Sequence, residues 1–566
     1  MFRAGWALAE IVIKPQGLAM HGFGQAQHRA WRQRTPLHAR ALSFSDEHDQ
    51  RLLIGCLDLG YVTHAIRQGV EAGLQNLLGA SWDSATLLLT CTHTHSGPGG
   101  CAHEALYNLV TPGFVEAHVT AIVKATLEAF QRAFADEQAV DLNWIEGCID
   151  DEVEVAWNRS LKAYLRNPEV KPVRDHERHL ALDRFMRVLT LTQRGQVRAL
   201  MSLFGVHATC LGNQQDAYDA DNKGYAARAT EKILAEVGAS LAIFAQGTAG
   251  DVSPYYHGPG DQKRRQSIRG EAEVAYAIEN GLIQSRMALQ LAQQEGERIW
   301  GTLDSILTYV DLSRVSVDPQ FSRGQRAWTT EPAHGISFFA GTPVDGPGLA
   351  TPLIRVLRLL SRGVRWSQQR HAEAATQAFY TAQGNKDVLL HAGKHQILGQ
   401  SLKSLKVPGW LDPVVAELKH QVQAGAMVDS PLVPTVLPLQ LIALGQLGII
   451  ACPGEFTTVA GQRLLQGLAP ILAERGITRL AIMTYCNDYM GYVTTQEEYQ
   501  EQAYEGGHTL YGQWTLAAFQ TCFEQLAREF IKPRHERKHD QIRRPQPVPP
   551  EELRRRSYRE HSSIER

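Results

Sequence analysis

Short apolar runs alternate with amphipathic stretches along the first half of this chain. Residues 52–59, 86–90, 188–191, 200–206 and 241–245 are apolar runs of strand length, and Val12-Ile13 reads as a further short strand. Residues 63–78 and 113–134 space their apolar positions by three and four, which predicts helices. Residues 262–294, rich in Ala and Gln, predict another helix, and 373–423 is polar and mixed. Residues 439–451 read as a hairpin turning near Gly445-Gln446, and a helix follows over 514–530. Strands interleaved with helices predict an α/β fold: one large domain of mixed sheets flanked by helices over residues 1–531.

From Lys532 onward the pattern stops. Arg543-Arg544, four prolines between 545 and 550, and Arg554-Arg555-Arg556 leave too few apolar residues for a core, which predicts a disordered basic tail over 532–566. Such a tail suits peripheral contact with acidic lipid headgroups, or solvation alone.

The composition is that of an ordinary globular protein, 44% hydrophobic and 20% charged, and the net charge of -2 gives no reason to expect a nucleic-acid partner. The eight cysteines form no CxxC pair, which argues against a disulfide framework or a cysteine zinc site. No apolar window is long enough for a membrane span, and the N-terminus lacks a signal-peptide core, so a cytoplasmic location is expected.

Three strand exits carry candidate chemistry. The run at 86–90 leads into Cys91-Thr92-His93-Thr94-His95-Ser96-Gly97-Pro98-Gly99-Gly100. Alternation along an extended strand puts His93 and His95 on one side. The second run ends at His207 and the third, through Cys452-Pro453-Gly454, at Glu455. Two histidines and a carboxylate at strand ends fit a catalytic zinc site with an open position. Taken singly, His207 also fits a core histidine, and Glu455 a helix N-terminal carboxylate. Ser253, in the turn Gly250-Asp251-Val252-Ser253-Pro254, reads as a nucleophile, an oxyanion donor or a structural turn serine, without a GxSxG elbow.

Six segments in order resemble the neutral/alkaline non-lysosomal ceramidase family. They are Thr92 to Gly100; Asp221-Asn222-Lys223-Gly224-Tyr225-Ala226; Gly250 to Pro254; Ala340-Gly341-Thr342 with Asp345-Gly346-Pro347-Gly348; Pro453 to Thr457; and Tyr492-Val493-Thr494-Thr495 with Tyr504-Glu505-Gly506-Gly507 and Thr509-Leu510-Tyr511-Gly512. The resemblance implies a zinc amidase that hydrolyses N-acyl-sphingosine to sphingosine and a fatty acid. It implies one Zn²⁺ held by His93, His207, Glu455 and Tyr492. His95 would sit beside the metal to move protons, and Arg159 and Tyr504 would contact substrate. Ser253 stands where the family has a serine important for activity, as attacker or as binding residue.

Departures from the family pattern are Thr248 and Tyr255, where asparagine is usual, and a middle region over 255–425 that is less family-like. The family's usual C-terminal immunoglobulin-like domain is not expected here. These departures keep open a zinc hydrolase of another N-acyl amide or ester, or a non-catalytic lipid-binding relative.

Overall fold

Neighbouring residues of one strand go to different layers of the protein. In Leu87–Cys91, the side chains of Leu87, Leu89 and Cys91 pack with the helices His64–Leu78 and Glu116–Ala135, while Leu88 packs against Ile442, Leu447 and Ile449 of a second sheet. A fully buried leucine contributes roughly 1.5–3 kcal/mol, more than the ~1 kcal/mol span of strand propensity. The alternation therefore fixes which face each residue takes.

The computed structural model describes residues 2–111, 113–238, 240–254, 268–342, 346–371, 373–404, 421–422, 425 and 430–558. Its nine-stranded sheet runs in the order Leu241–Ala245, Gln196–Leu203, Phe185–Gln193, Gln138–Cys148, Phe2–Glu10, His38–Ser45, Arg51–Leu57, Leu87–Cys91, with Glu297–Ile299 also paired to Gln138–Cys148. The pairs at its two ends are parallel and those between are antiparallel. A four-stranded sheet of Leu303–Asp311, Val436–Leu444, Leu447–Ala451 and Arg479–Met483 shares an apolar core with it, and its last pair is also parallel. On the outer face of this second sheet, Ile450 packs with Leu464 of Thr458–Ala473 and Phe519 of Thr515–Phe530. Helices Asp221–Leu234 and Glu271–Ala292 cover the far end of the large sheet. The result is four layers: helices, sheet, sheet, helices.

The expected α/β architecture is present. The helix expected over 63–78 is His64–Leu78, and the Thr63 side chain accepts from Ile66 N at 3.3 Å as its N-cap. The hairpin turns at Gly445, whose φ is 60°. Val12-Ile13 is not a strand. The N-terminal strand is Phe2–Glu10, and its residue Gly5 lies so close to Ala133 O that a Cβ would come within 1.8 Å. The helix expected over 262–294 is Glu271–Ala292, with 262–267 outside the described residues. The region 373–423 contains the helix Ala374–Gln383 and the strand Val388–His391, and 405–420 and 423 lie outside the described residues. Tyr255 and Asp345 also lie outside them.

The segment expected to be a disordered tail is laid along the molecule as far as Tyr558. Arg534 and Arg537, together with Arg475, surround the carboxylate of Asp304. The Thr308 hydroxyl donates to Asp540 O at 2.9 Å. The helix Pro550–Arg556 leads into a backbone pairing in which Phe114 N donates to Arg556 O (2.9 Å) and Tyr558 N to Phe114 O (2.7 Å). Ion pairs and added backbone hydrogen bonds order this stretch, and low apolar content says nothing of those. Residues 559–566 lie outside the described residues. Among the described residues no helix is long and apolar enough to cross a membrane.

Candidate active site

The site gathers at the carboxyl ends of parallel strands, where loops from both sheets meet. Leu87–Cys91 delivers His93, Gln196–Leu203 delivers His207, and Leu447–Ala451 delivers Glu455. His93 does not lie on an extended strand. Its φ is 63°, so the chain has already turned and the strand alternation does not apply. The turn still brings the two imidazoles together, with His95 Nε2 at 3.2 Å from His93 Nε2.

The ring nitrogens of His93, His95 and His207 all lie within 4.8 Å of one another. The Glu455 Oε2 atom stands 3.0 Å from His207 Nε2 and 3.6 Å from His93 Nε2. The Tyr492 hydroxyl is 3.2 Å from His207 Nε2. Glu455 and Tyr492 are direct partners in a two-residue parallel ladder, Glu455–Phe456 with Tyr492–Val493, which fixes their spacing.

Backbone carbonyls set the protons. His93 Nδ1 donates to Gly60 O at 2.5 Å and His207 Nδ1 donates to Val252 O at 3.1 Å. Both rings therefore aim bare Nε2 lone pairs into the site. Burial pushes His93 down to about 4 against the pull of Glu455, so this ring is neutral at physiological pH. Burial also drives His95 well below the ordinary histidine value, reinforced by His93 and His207. Burial alone would raise the Glu455 carboxyl, yet positive charge shared with His93 and His207, together with the Tyr489 hydroxyl, draws it well below the carboxylate range. The Tyr489 hydroxyl donates to Oε1 at 2.5 Å and that of Tyr485 to Oε2 at 3.1 Å. Burial keeps both phenols protonated.

A lone pair on His207 thus faces a carboxylate oxygen at 3.0 Å. A shared proton or a bound cation between the two makes that approach favourable. Two imidazoles, a carboxylate and a phenol form a donor set that zinc accepts, so the residues present fit the expected ion.

The other expected residues divide. Arg159 is buried between the rings of Tyr492 and Tyr504, 5.7 Å from each centroid. It donates to Glu505 Oε1 (2.8 Å), Gly250 O (2.7 Å) and the Tyr492 hydroxyl (3.0 Å). Arg159, Tyr504, His95 and the proposed ligands all line one cavity of about 400 Å³. Ser253 does not line it. That residue is fully buried in Val252–Pro254 opposite Trp157, and its hydroxyl has no partner among the described residues.

The cavity has a polar floor and apolar upper walls from Leu106, Leu109, Phe338, Phe339 and Leu349. Sequence reasoning passed over His21, His334 and His508, which also line it. Each is a lone histidine outside any strand exit. Glu505, whose side chain fixes Arg159 and accepts from Ser160 Oγ at 2.7 Å, was visible only as part of a motif.

Two other motifs act as supports. Asn222 Nδ2 donates to His207 O (3.0 Å) and Lys223 Nζ to Phe204 O (2.7 Å), holding the His207 loop. A Cβ on Gly250 would come within 2.7 Å of Glu455 O, so only glycine lets these two loops touch. Asp251 caps the helix after Glu455 by accepting from Thr458 N at 2.8 Å.

Comparison with known proteins gives the family. The profile for "Neutral/alkaline non-lysosomal ceramidase, N-terminal" matches residues 2–407 and 414–521. Neutral ceramidase of Pseudomonas aeruginosa is 32% identical over 529 residues, 93% of this chain and 72% of that protein. Neutral ceramidase of Mycobacterium tuberculosis is 30% identical over 542 residues, 93% of this chain and 77% of that protein. The crystal structure of the Pseudomonas aeruginosa enzyme superposes with a TM-score of 0.75 at 30% identity, covering 94% of this chain and 74% of that one. A structure described as ceramidase complexed with C2 gives 0.79 at 30% identity, covering 96% and 77%. The chain belongs to the neutral/alkaline non-lysosomal ceramidase family and is an amidohydrolase of that type.

Proposed function

We propose that the protein is a zinc-dependent hydrolase of N-acyl-sphingosine, splitting the amide with water into sphingosine and a free fatty acid. The observation that carries this reading is the convergence of His93, His207, Glu455 and Tyr492 on the floor of a cavity with apolar walls. A zinc ion held by these residues would supply Lewis acidity toward the amide carbonyl and its attacking water.

The chain's own groups do the rest. The Arg159 guanidinium, pinned by Glu505 and Gly250, offers positive charge and N–H donors beside the Tyr492 hydroxyl, where carbonyl oxygen charge would develop. The Tyr504 hydroxyl is a second donor on the same wall. His95 is neutral and its Nδ1 has no partner among the described residues. It is suited to take a proton from the attacking water and pass it to the leaving nitrogen, which departs as the sphingosine amine. The apolar walls exclude water from the acyl chain and favour a lipid amide over a small polar one. The buried hydroxyl of Ser253 supports a structural role in the loop beneath His207.

The test is product analysis. Purified protein given N-acyl-sphingosine is expected to release sphingosine and fatty acid in equal amounts, and the Glu455→Gln variant to release neither. Turnover of short water-soluble N-acyl amides with none of the lipid would replace this reading with a different amide substrate.

A further inference from the structure

One helix beside the cavity exposes apolar surface where a globular protein ordinarily places polar residues. In Thr351–His371, Val356 is 52% exposed, Leu359 70%, Leu360 51% and Trp366 57%. With Gly363, around which a Cβ would find open space, these positions are spaced by three and four and form one outward stripe. The opposite face, with Ile354 and Leu357, packs into the core. Among the described residues no other element exposes more than two large apolar side chains.

Arg355, Arg358, Arg362 and Arg365 repeat at the same spacing along one flank of the stripe, and Arg370 stacks on Trp366 at 4.2 Å. The helix has five arginines and no Asp or Glu. Asp387 offsets one of these charges, through an Arg362 ion pair of 3.0 Å. The helix is not apolar enough to cross a bilayer. A basic helix with an apolar stripe and too little hydrophobicity to insert lies flat in a lipid interface. Leu349 and the exposed Gly348 line the cavity just before the helix begins, so the cavity reaches the surface there.

We propose that the outward face of Thr351–His371 docks the protein onto an anionic lipid surface, with Val356, Leu359, Leu360 and Trp366 in the headgroup boundary and the arginines on lipid phosphates and carboxylates. Docking there sets the cavity entrance against the lipid. The benefit to catalysis rests on the function proposed above, whereas the docking itself does not. The occupant is a lipid surface because arginines without acids complement anionic headgroups, and because the stripe adjoins the entrance of an apolar cavity. The basic segment after Lys532 spends Arg534 and Arg537 on Asp304 and so is the lesser candidate for the same contact.

The test is flotation of the purified full chain with vesicles of phosphatidylcholine alone and with added phosphatidylserine. Wild-type protein is expected to float with the anionic vesicles and weakly with the neutral ones. Removing Arg355 and Arg358 together (R355Q/R358Q) is expected to lower partitioning on anionic vesicles ~30-fold, at roughly fivefold for each arginine. The L359E/W366E variant is expected to lose vesicle binding altogether. Neither pair lines the cavity, so hydrolysis of a detergent-dispersed amide is expected to stay at the wild-type rate in both. Loss of hydrolysis in the wild type as well, with vesicle binding intact, would sink the proposed function and leave the docking standing. Binding that is equal on the two vesicle types, or undiminished in L359E/W366E, would overturn the docking. So would a wild-type dimer that L359E/W366E converts to monomer with no vesicle binding by either, since a second copy would then cover this face.

Discussion

At the floor of the cavity most side-chain polar atoms have fixed partners, whereas the side chains of the upper wall meet by apolar packing on a backbone held by bonds such as Leu349 N to Phe339 O at 2.8 Å. Both carboxylate oxygens of Glu455 accept tyrosine hydroxyls, the imidazoles of His93 and His207 are oriented by backbone carbonyls, and Arg159 has three fixed acceptors. Above them, Phe338 and Phe339 sit edge to face at 5.0 Å and Leu349 adds its side chain, with no polar atom to fix its position. The lesson is a division of labour. Fixed polar partners at the floor suit chemistry that needs set distances, and apolar side chains in the wall suit an acyl chain, which needs only apolar volume. Substitutions in the two regions should therefore fail in different ways.

The largest effect is expected at the floor. Arg159→Met is expected to lower kcat by about 10²–10³-fold, the usual cost of one oxyanion donor, with KM little changed. Steady-state kinetics on the lipid amide checks this, and a change confined to KM would move Arg159 from chemistry to simple binding.

One step back from the ion, Tyr489→Phe deletes a donor to Glu455 without touching the other expected ligands. It is expected to weaken zinc affinity by about 10–100-fold, measured by competition against a chromophoric chelator. Unchanged affinity would mean that the carboxylate needs no such support.

The wall should behave otherwise. Leu349→Ala is expected to raise KM for a long-chain amide about tenfold while leaving short-chain turnover alone. A fall in kcat for both substrates would erase the distinction between wall and floor.

The smallest effect lies outside the cavity and leaves activity unchanged at neutral pH. Burial would raise the Asp304 carboxyl, but hydrogen bonds from Arg537 and the charges of Arg475 and Arg534 outweigh it and bring it from 3.8 to about 2. A carboxyl lowered on folding stabilises the protein above its unfolded pKa, and that stability is lost as pH falls through the folded value. Asp304 is thus expected to contribute about 2 kcal/mol at neutral pH, lost between about pH 4 and pH 2. Denaturant titrations of wild type and Asp304→Asn across that window check it. An equal difference between them at every pH would contradict it.

His93, His207 and Glu455 were legible as candidates because each follows an apolar strand, and a strand exit next to glycine is a local signal, whereas Tyr492 came from the family resemblance alone. With φ at 63°, His93 joins His95 through a turn rather than along a pleat, so strand alternation does not explain their meeting. The supports of Arg159 and Glu455 come from Glu505 and Tyr489, 346 and 34 residues away, and no local pattern announces such pairings. The wall was not legible, because the short turns at Ala105–Asn108 and Ile336–Phe339 carry no period to read. His334 and His508, 174 residues apart by their numbers, meet with ring centroids at 5.1 Å through folding alone. Past Lys532, composition predicted disorder, but arginines there are ordered by the carboxylate of Asp304, which composition cannot reveal.

The central question is whether His93, His207, Glu455 and Tyr492 hold a metal ion. The most direct measurement is elemental analysis of purified wild-type protein and of His207→Ala, both folded and never exposed to chelator. The account predicts about one zinc per wild-type chain and essentially none in the variant. Wild-type protein without stoichiometric metal, or a His207→Ala variant that keeps it, would contradict it.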